Sequence, residues 1–329
     1  MNIALDVTPI KNSKSVAHRV RGTGFYIENL KSSLLQYFPD NKYIFFTRGE
    51  KMPKNIDLVH YPYFEPFFLT LPIFNKYKTV VTVHDLTPLV FPKEFPSGLK
   101  GKVKWKIQKQ ALRNADGIIT DSECSKRDII KYAGINASKI SVVYLAAGRE
   151  FERFKIDDLR LKKIREKYKL PEKFVLYVGD VTWNKNLPRF IEAVKKIDVT
   201  LVMVGSALVQ KKFDRLNPWN EDLSQVQKLA KEDKRIIRLG FVPQEDLVLL
   251  YNTATVFAMP SLYEGFGLPI LEAMSCGGPV VTTKEGSLKE AGGDAAYFVD
   301  ANNIDSIASG IKEVFQDKSI QKSLSDKGL

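Results

Sequence analysis

Glu264 and Glu272 bracket a glycine-rich turn in the stretch SLYEGFGLPILEAMSCGGPVVTT, residues 261–283. The apolar run Thr255-Val-Phe-Ala-Met259 ahead of it reads as a buried strand. Pro269 marks the start of a helix, because proline at the first helical position gives up an amide that has no partner anyway. That helix runs to about Cys276, stops at Gly277-Gly278 and passes into a second buried strand, Pro279-Val-Val-Thr-Thr283. Glu264 then lies in the loop and Glu272 on the first helical turn, where the helix dipole keeps it ionised. An ionised carboxylate only accepts hydrogen bonds, which suits Glu272 to paired hydroxyls such as those of a ribose, and Glu264 to hydroxyls of a neighbouring sugar. Between them the amides of Gly265, Phe266, Gly267 and Leu268 form an anion cradle at the helix N-terminus. The plainer alternative leaves Glu272 serving its helix dipole and Glu264 in solvent. Gly265 and Gly267 on either side of Phe266 weigh against it, since they permit close backbone approach to a ligand.

Other residues invite similar readings. Lys185 stands at the entrance of a helix through Pro188 to Ile197, after the strand Phe174-Val-Leu-Tyr-Val-Gly179, and can neutralise a diphosphate as a compact point charge. His84 ends the strand Val80-Val-Thr-Val-His84, and a residue there points into the crevice where parallel sheets bind ligands, although a lone histidine is usually structural. Gly22 and Gly24 lie between a first strand, Asn2–Val7, and an amphipathic helix, Phe25–Phe38, with Ile27, Leu30, Leu34, Leu35 and Phe38 at helical spacing. Strand, glycine turn and helix suit a phosphate or sugar contact, or simply a capping turn. Ile27 occupies the third glycine position of a dinucleotide fingerprint, which argues against a nicotinamide enzyme.

Pro260-Ser261, Glu264-Gly-Phe-Gly-Leu-Pro269, Glu272-Ala-Met274 and Gly278-Pro-Val-Val281, in that order, resemble the signature of the retaining glycosyltransferases of family 4, which use nucleotide-activated sugars on a GT-B fold. The likeness extends over nearly the whole chain, through Val80–Leu86, Ala115–Glu123 and Lys139–Tyr144. It implies that Glu264 faces the donor sugar, Glu272 the ribose and the loop amides the diphosphate. It further implies that His84 touches the sugar hydroxyls, that Gly22 and Gly24 sit under the donor phosphate, and that the backbone of Phe241 and Val242 lies near the base. The family generally supplies a second basic group in the loop before Lys185; here Asp180 and Asn184 hold those positions, so neutralisation rests mainly on Lys185. Relatives also continue through a final helix that crosses back to the N-terminal half, which this chain does not show, so a truncation or a different closure is expected.

Strands also recur at 43–47, 57–61, 79–83, 200–205, 236–241 and 297–299, with helices between. They predict an α/β protein of GT-B type, two doubly wound Rossmann-like domains facing across a cleft: 1–150 on the acceptor side, a connection at 151–173, and 174–329 for the nucleotide sugar. The aromatic, proline-rich segment Tyr63–Phe74 is read as a loop packed over its own rings in preference to an acceptor or membrane surface. In Ser97–Arg113 six basic residues and no acidic one accompany Val103, Ile107 and Ala111 at a spacing of four. That is a basic amphipathic helix, either an ordinary solvated face or a docking element for an anionic membrane or acceptor.

A chain of 329 residues with 44% hydrophobic and 27% charged residues describes a globular protein of two domains. Two cysteines, Cys124 and Cys276, form no framework and no metal-ligand spacing, which fits a reducing cytoplasm. No apolar run spans a bilayer, so the expected location is cytoplasmic or peripheral at the inner face of the membrane. The net charge of +12 reflects a lysine-rich proteome or a face for anionic lipid; nucleic acid is not expected, for no interleaved basic and aromatic binding motif occurs. The expected activity moves a hexosyl group, of mannosyl or glucosyl type, from a nucleotide-diphosphate sugar such as a GDP- or UDP-hexose to a hydroxyl of a carbohydrate or lipid-linked acceptor. It does so with retention, in polysaccharide or glycolipid assembly. No cofactor is expected, and no metal, since no acidic pair has the Asp-x-Asp form. A sugar-nucleotide 2-epimerase and a non-catalytic nucleotide-sugar scaffold are the rival readings.

Overall fold

The computed structural model describes residues 1–11, 21–74, 76–155, 159–231 and 233–329. The basic loop expected before Arg21, with His18, lies at 12–20, outside the described residues. The chain divides into two compact units, Met1–Pro92 with Ser97–Tyr144, and Lys93–Pro96 with Leu145–Leu329. Each is built on a six-stranded parallel sheet, and together these are the α/β sheets of a GT-B protein.

The first unit carries β1 (Asn2–Asp6), β2 (Lys42–Phe46), β3 (Leu58–Tyr61), β4 (Lys78–Thr82), β5 (Gly117–Thr120) and β6 (Ile140–Val142) in the order β2-β1-β3-β4-β5-β6. Its central strands are short apolar runs because a parallel sheet is covered on both faces, and Ala4, Val59, Val81 and Ile118 are buried accordingly.

Two helices differ from their sequence readings. The first begins at Arg21, not Phe25, and runs to Tyr37, so Gly22 and Gly24 are helical residues on its opening turn. Ile27 is buried, whereas Leu35 and Phe38 are exposed, because only 27, 30 and 34 share the face toward the sheet. In the helix Gly98–Arg113 the fully buried stripe is Gly101, Gln108 and Leu112; Ala111 packs half-buried beside it, Ile107 is half-buried and Val103 faces outward. Val103 is 58% and Leu99 83% exposed.

The cause of that shift is Gln108. Its Oε1 accepts from the Thr70 amide at 2.7 Å and the Leu71 amide at 2.8 Å, while its Nε2 donates to the Leu71 carbonyl at 3.1 Å. A buried loop must pair its backbone, and a glutamine in a core position does so here. The aromatic segment is packed in part, as expected, through Phe64, Phe67 and Leu71; Leu69, Ile73 and Phe74 face outward.

The second unit carries β7 (Val175–Val178), β8 (Leu201–Val204), β9 (Ile236–Gly240), β10 (Val256–Met259), β11 (Val280–Thr283) and β12 (Ala296–Val299) in the order β12-β11-β10-β7-β8-β9. Successive strands run outward from β7 to one edge, and the chain then returns beside β7 as β10 to fill the other half. That reversal creates a crevice at the C-terminal ends of β7 and β10, paired at Val256 with Val175 and Phe257 with Leu176. Helices Leu187–Lys195 and Leu268–Ser275 follow these two strands. The core between sheet and helices is anchored by Phe174, Tyr177, Phe190, Tyr251 and Phe257.

Candidate functional site

The loops after β7 and β10 are tied together at the switch point. Asn184 donates from Nδ2 to the Tyr263 carbonyl at 2.9 Å, and the Leu262 amide donates to the Asn184 carbonyl at 2.7 Å. Asn186, held in the left-handed region at φ 59°, donates from Nδ2 to the carbonyls of Pro260 at 2.9 Å and Ala301 at 2.7 Å. Asn184 occupies one of the positions where a second cation is commonly found; it is a buried strut between loops.

This scaffold brings Lys185 and Glu264 into contact. The Lys185 ammonium lies 2.8 Å and 2.7 Å from the two oxygens of Glu264, whose side chain is largely buried. An ammonium has three N–H donors, so two serve the carboxylate and one is left to turn outward. Gly267 caps the helix Leu268–Ser275 at φ 105°, and no side chain caps that end. Pro269 has no amide to give and the Ile270 amide donates to the Gly267 carbonyl at 2.9 Å, which leaves the Leu268 amide as the first-turn donor without an intrahelical acceptor.

Sequence reasoning missed the support behind Glu264. Ser287 Oγ donates to the carbonyls of Glu264 and Phe266, both at 2.9 Å. Gly286, at φ 60°, leaves no room for a side chain: a Cβ there would lie 2.7 Å from the Glu264 carbonyl oxygen and 2.8 Å from its amide nitrogen. Phe266 is buried, whereas Phe241 is exposed and Val242 buried after β9.

Glu272 departs from expectation twice. It sits on the second turn of its helix, beyond the orphan amides. Although its surface is only partly covered, burial pushes its pKa from 4.5 up to about 7; the Tyr251 hydroxyl, donating to Oε2 at 2.7 Å, pulls it back in part, and the Glu150 charge adds to the rise. Near neutral pH this carboxyl is therefore divided between its charged and neutral forms, not held ionised by the dipole.

In the first unit His84 stands just beyond β4 and Asp121 just beyond the neighbouring β5. The ring Nδ1 lies 2.6 Å from Asp121 Oδ2. A carboxylate only accepts, so the ring donates there. Burial alone would lower the histidine's pKa; the Asp121 hydrogen bond and charge, with Asp85 and the Pro62 carbonyl, outweigh it and raise it above 6.5. The charged ring is thereby favoured, and its Nε2, buried, makes no hydrogen bond of ordinary geometry. Tyr26, on the helix that also carries Gly22 and Gly24, stands edge-on to the imidazole at 4.7 Å between centroids, its hydroxyl 3.3 Å from Thr82 Oγ1. Neither Tyr26 nor Asp121 was singled out from sequence, because their value lies in contact with His84 and not in any local pattern. Among the described residues no three His, Cys, Asp or Glu side chains are grouped to hold a metal, and no helix is long and apolar enough to cross a membrane.

Two parallel sheets of this order, with a lysine and a glutamate joined at a helix N-terminus, define a GT-B glycosyltransferase architecture. The chain belongs to glycosyltransferase family 4: residues 9–147 match the model of Glycosyltransferase Family 4 and residues 161–328 that of Glycosyl transferases group 1. It is 32% identical over 256 residues to O-antigen chain mannosyltransferase B of Escherichia coli, covering 77% of this chain and 65% of that protein. It is 26% identical over 270 residues to the serotype-specific mannosyltransferase WbdA of the same organism, 80% of this chain and 32% of that one. The chain thus spans two thirds or less of the length of these relatives. Sucrose-phosphate synthase from Thermosynechococcus elongatus shares the fold at a TM-score of 0.78 and 19% identity, over 100% of this chain and 93% of that one. Anabaena HepE in complex with UDP-glucose does so at 0.68 and 20% identity, with the same coverage.

Proposed function

We propose that the protein transfers a hexosyl group from a nucleotide-diphosphate hexose to a hydroxyl of a carbohydrate or lipid-linked acceptor in polysaccharide assembly, with retention of anomeric configuration and without a metal or organic cofactor. The Lys185–Glu264 contact at the mouth of the β7–β10 crevice carries the reading. Relatives named as O-antigen mannosyltransferases and a structural neighbour solved with UDP-glucose support it. When the sugar–phosphate bond breaks, negative charge grows on the leaving diphosphate. The remaining donor of Lys185, the Leu268 amide and the positive end of the helix Leu268–Ser275 are fixed groups that favour that charge. Glu264, held from behind by Ser287, accepts from sugar hydroxyls, and Glu272 in its charged form accepts from the ribose. His84, whose protonated form Asp121 favours, is the first unit's candidate for touching sugar hydroxyls.

Incubation with labelled UDP- and GDP-hexoses and a panel of hydroxyl acceptors tests the proposal. Lys185→Ala and Glu264→Gln are each expected to lower turnover by about 100-fold to 1,000-fold, the usual cost of losing a group that faces developing charge. Full turnover in both variants would refute the reading; so would abolition by a chelator for its metal-free part, or inverted product for its stereochemistry.

We also propose that the helix Gly98–Arg113 rests on an anionic membrane. Leu99 and Val103 are exposed one turn apart among Lys100, Lys102 and Lys106, a mixture suited to anionic headgroups and the apolar layer beneath them. Lys102→Glu with Lys106→Glu should release the protein from phosphatidylglycerol vesicles in a flotation assay. Unchanged flotation removes this part alone.

A further inference from the structure

We infer that the second unit carries a separate binding groove for a ligand with two or more phosphates, formed between helix Glu221–Lys231, the segment after β8 and edge strand β9. The groove encloses about 680 Å³, within the range of small-ligand sites. Lys211, Arg215, Lys228, Lys231 and Arg238 line it, and among the described residues no acidic side chain does. Among the described residues none of these five makes an ion pair with a carboxylate. Uncompensated like charges around one concavity raise its potential and draw anions into it.

The concavity is held by specific contacts. Gln227 Nε2 donates to the Gln210 carbonyl at 2.8 Å, and the Arg238 guanidinium donates to the Leu208 carbonyl at 3.2 Å. These bonds fasten the segment after β8 to the helix on one side and to β9 on the other. Ser224, Lys228 and Lys231 recur along one helix face over about 10 Å at 1.5 Å per residue, long enough for two adjoining phosphates. In sheet order β9 is two strands from β7, about 10 Å away at the usual strand spacing, and the groove shares no lining residue with the Lys185–Glu264 site. The inference does not rest on the proposed transferase activity.

The test is calorimetric titration of the full chain with inorganic tripolyphosphate. With Lys185→Ala as the parent, so that the diphosphate-facing lysine of the other site is gone, tripolyphosphate should still bind; adding Lys228→Gln with Lys231→Gln should weaken binding at least tenfold, and adding Lys211→Gln with Arg215→Gln should do the same from the opposite wall. Affinity should fall steeply as salt rises from about 50 to about 200 mM. Flotation with vesicles containing cardiolipin, whose headgroup carries two phosphates, identifies the source: a headgroup if Lys228→Gln with Lys231→Gln floats less than wild type, a soluble phosphate compound if it floats equally. Tripolyphosphate binding that survives in both double variants, or disappears only in Lys185→Ala, overturns the inference.

Discussion

Replacing Glu272 with glutamine keeps an acceptor for the Tyr251 hydroxyl and removes a charge that the fold disfavours. The carboxyl's pKa is 4.5 in the unfolded chain and about 7 in the folded one, raised first by burial. Below pH 4.5 both states hold the proton and there is no penalty. Between 4.5 and about 7 the unfolded chain alone loses it, so stability falls as pH rises, and above 7 the full cost is paid. At about 1.4 kcal/mol per pH unit, that cost is about 3 kcal/mol. Glutamine does not titrate. Glu272→Gln should therefore match wild type near pH 4 and exceed it by about 3 kcal/mol at pH 8, which in a unit of this size raises the melting transition by roughly 6–12 °C. Scanning calorimetry of both proteins at the two pH values measures the difference. Tyr251→Phe, which removes the one contact favouring the carboxylate, should deepen the penalty at pH 8. Equal melting of Glu272→Gln and wild type at pH 8, or an equal gain at both pH values, would refute the reasoning that burial governs this group.

The same titration bears on binding: a ribose that donates to Glu272 favours its charged form, so nucleotide affinity should rise with pH through about 7 and lose that dependence in Glu272→Gln, as equilibrium titration from about one and a half pH units below neutrality to about as far above it would show. Asn186→Ala should destabilise the second unit by about 2–4 kcal/mol, from two lost carbonyl bonds and a methyl in the left-handed region, and Asn186→Gly by about 1 kcal/mol less, both read by urea denaturation. Asp121→Asn should lower the His84 pKa, since burial is then less opposed; the ring-proton titration by NMR checks this, and an unmoved midpoint counts against the pairing. The stability His84 lends wild type is full below 6.5 and is lost as pH rises through its higher folded value.

The strands were legible because a sheet covered on both faces needs continuous apolar runs, as in Thr255–Met259 and Pro279–Thr283. The turn from Glu264 to Pro269 was legible because glycine and proline punctuate the chain for steric reasons that hold in any context. Reasoning failed where tertiary contact overrides local pattern. Gln108 is polar, yet it fills a core position because a loop 37 residues upstream needs its amide. Glu272 follows a helix start, yet its ionisation is set by burial and by Tyr251, 21 residues upstream. Asn184, Asn186 and Ser287 bond to main-chain carbonyls, and a carbonyl belongs to every residue type, so no spacing in the sequence announces such partners.

The turn at Gly286-Ser287 has a consequence for engineering. The signature segment ends at Thr283, but the reach and aim of its leading glutamate are set by backbone that comes afterwards, where even a methyl group has no space. Transplanting residues 261–283 onto another parallel sheet would carry over the recognisable letters and leave their fulcrum behind. A graft extended through residue 288 would bring both, making 284–288 part of the minimal portable unit.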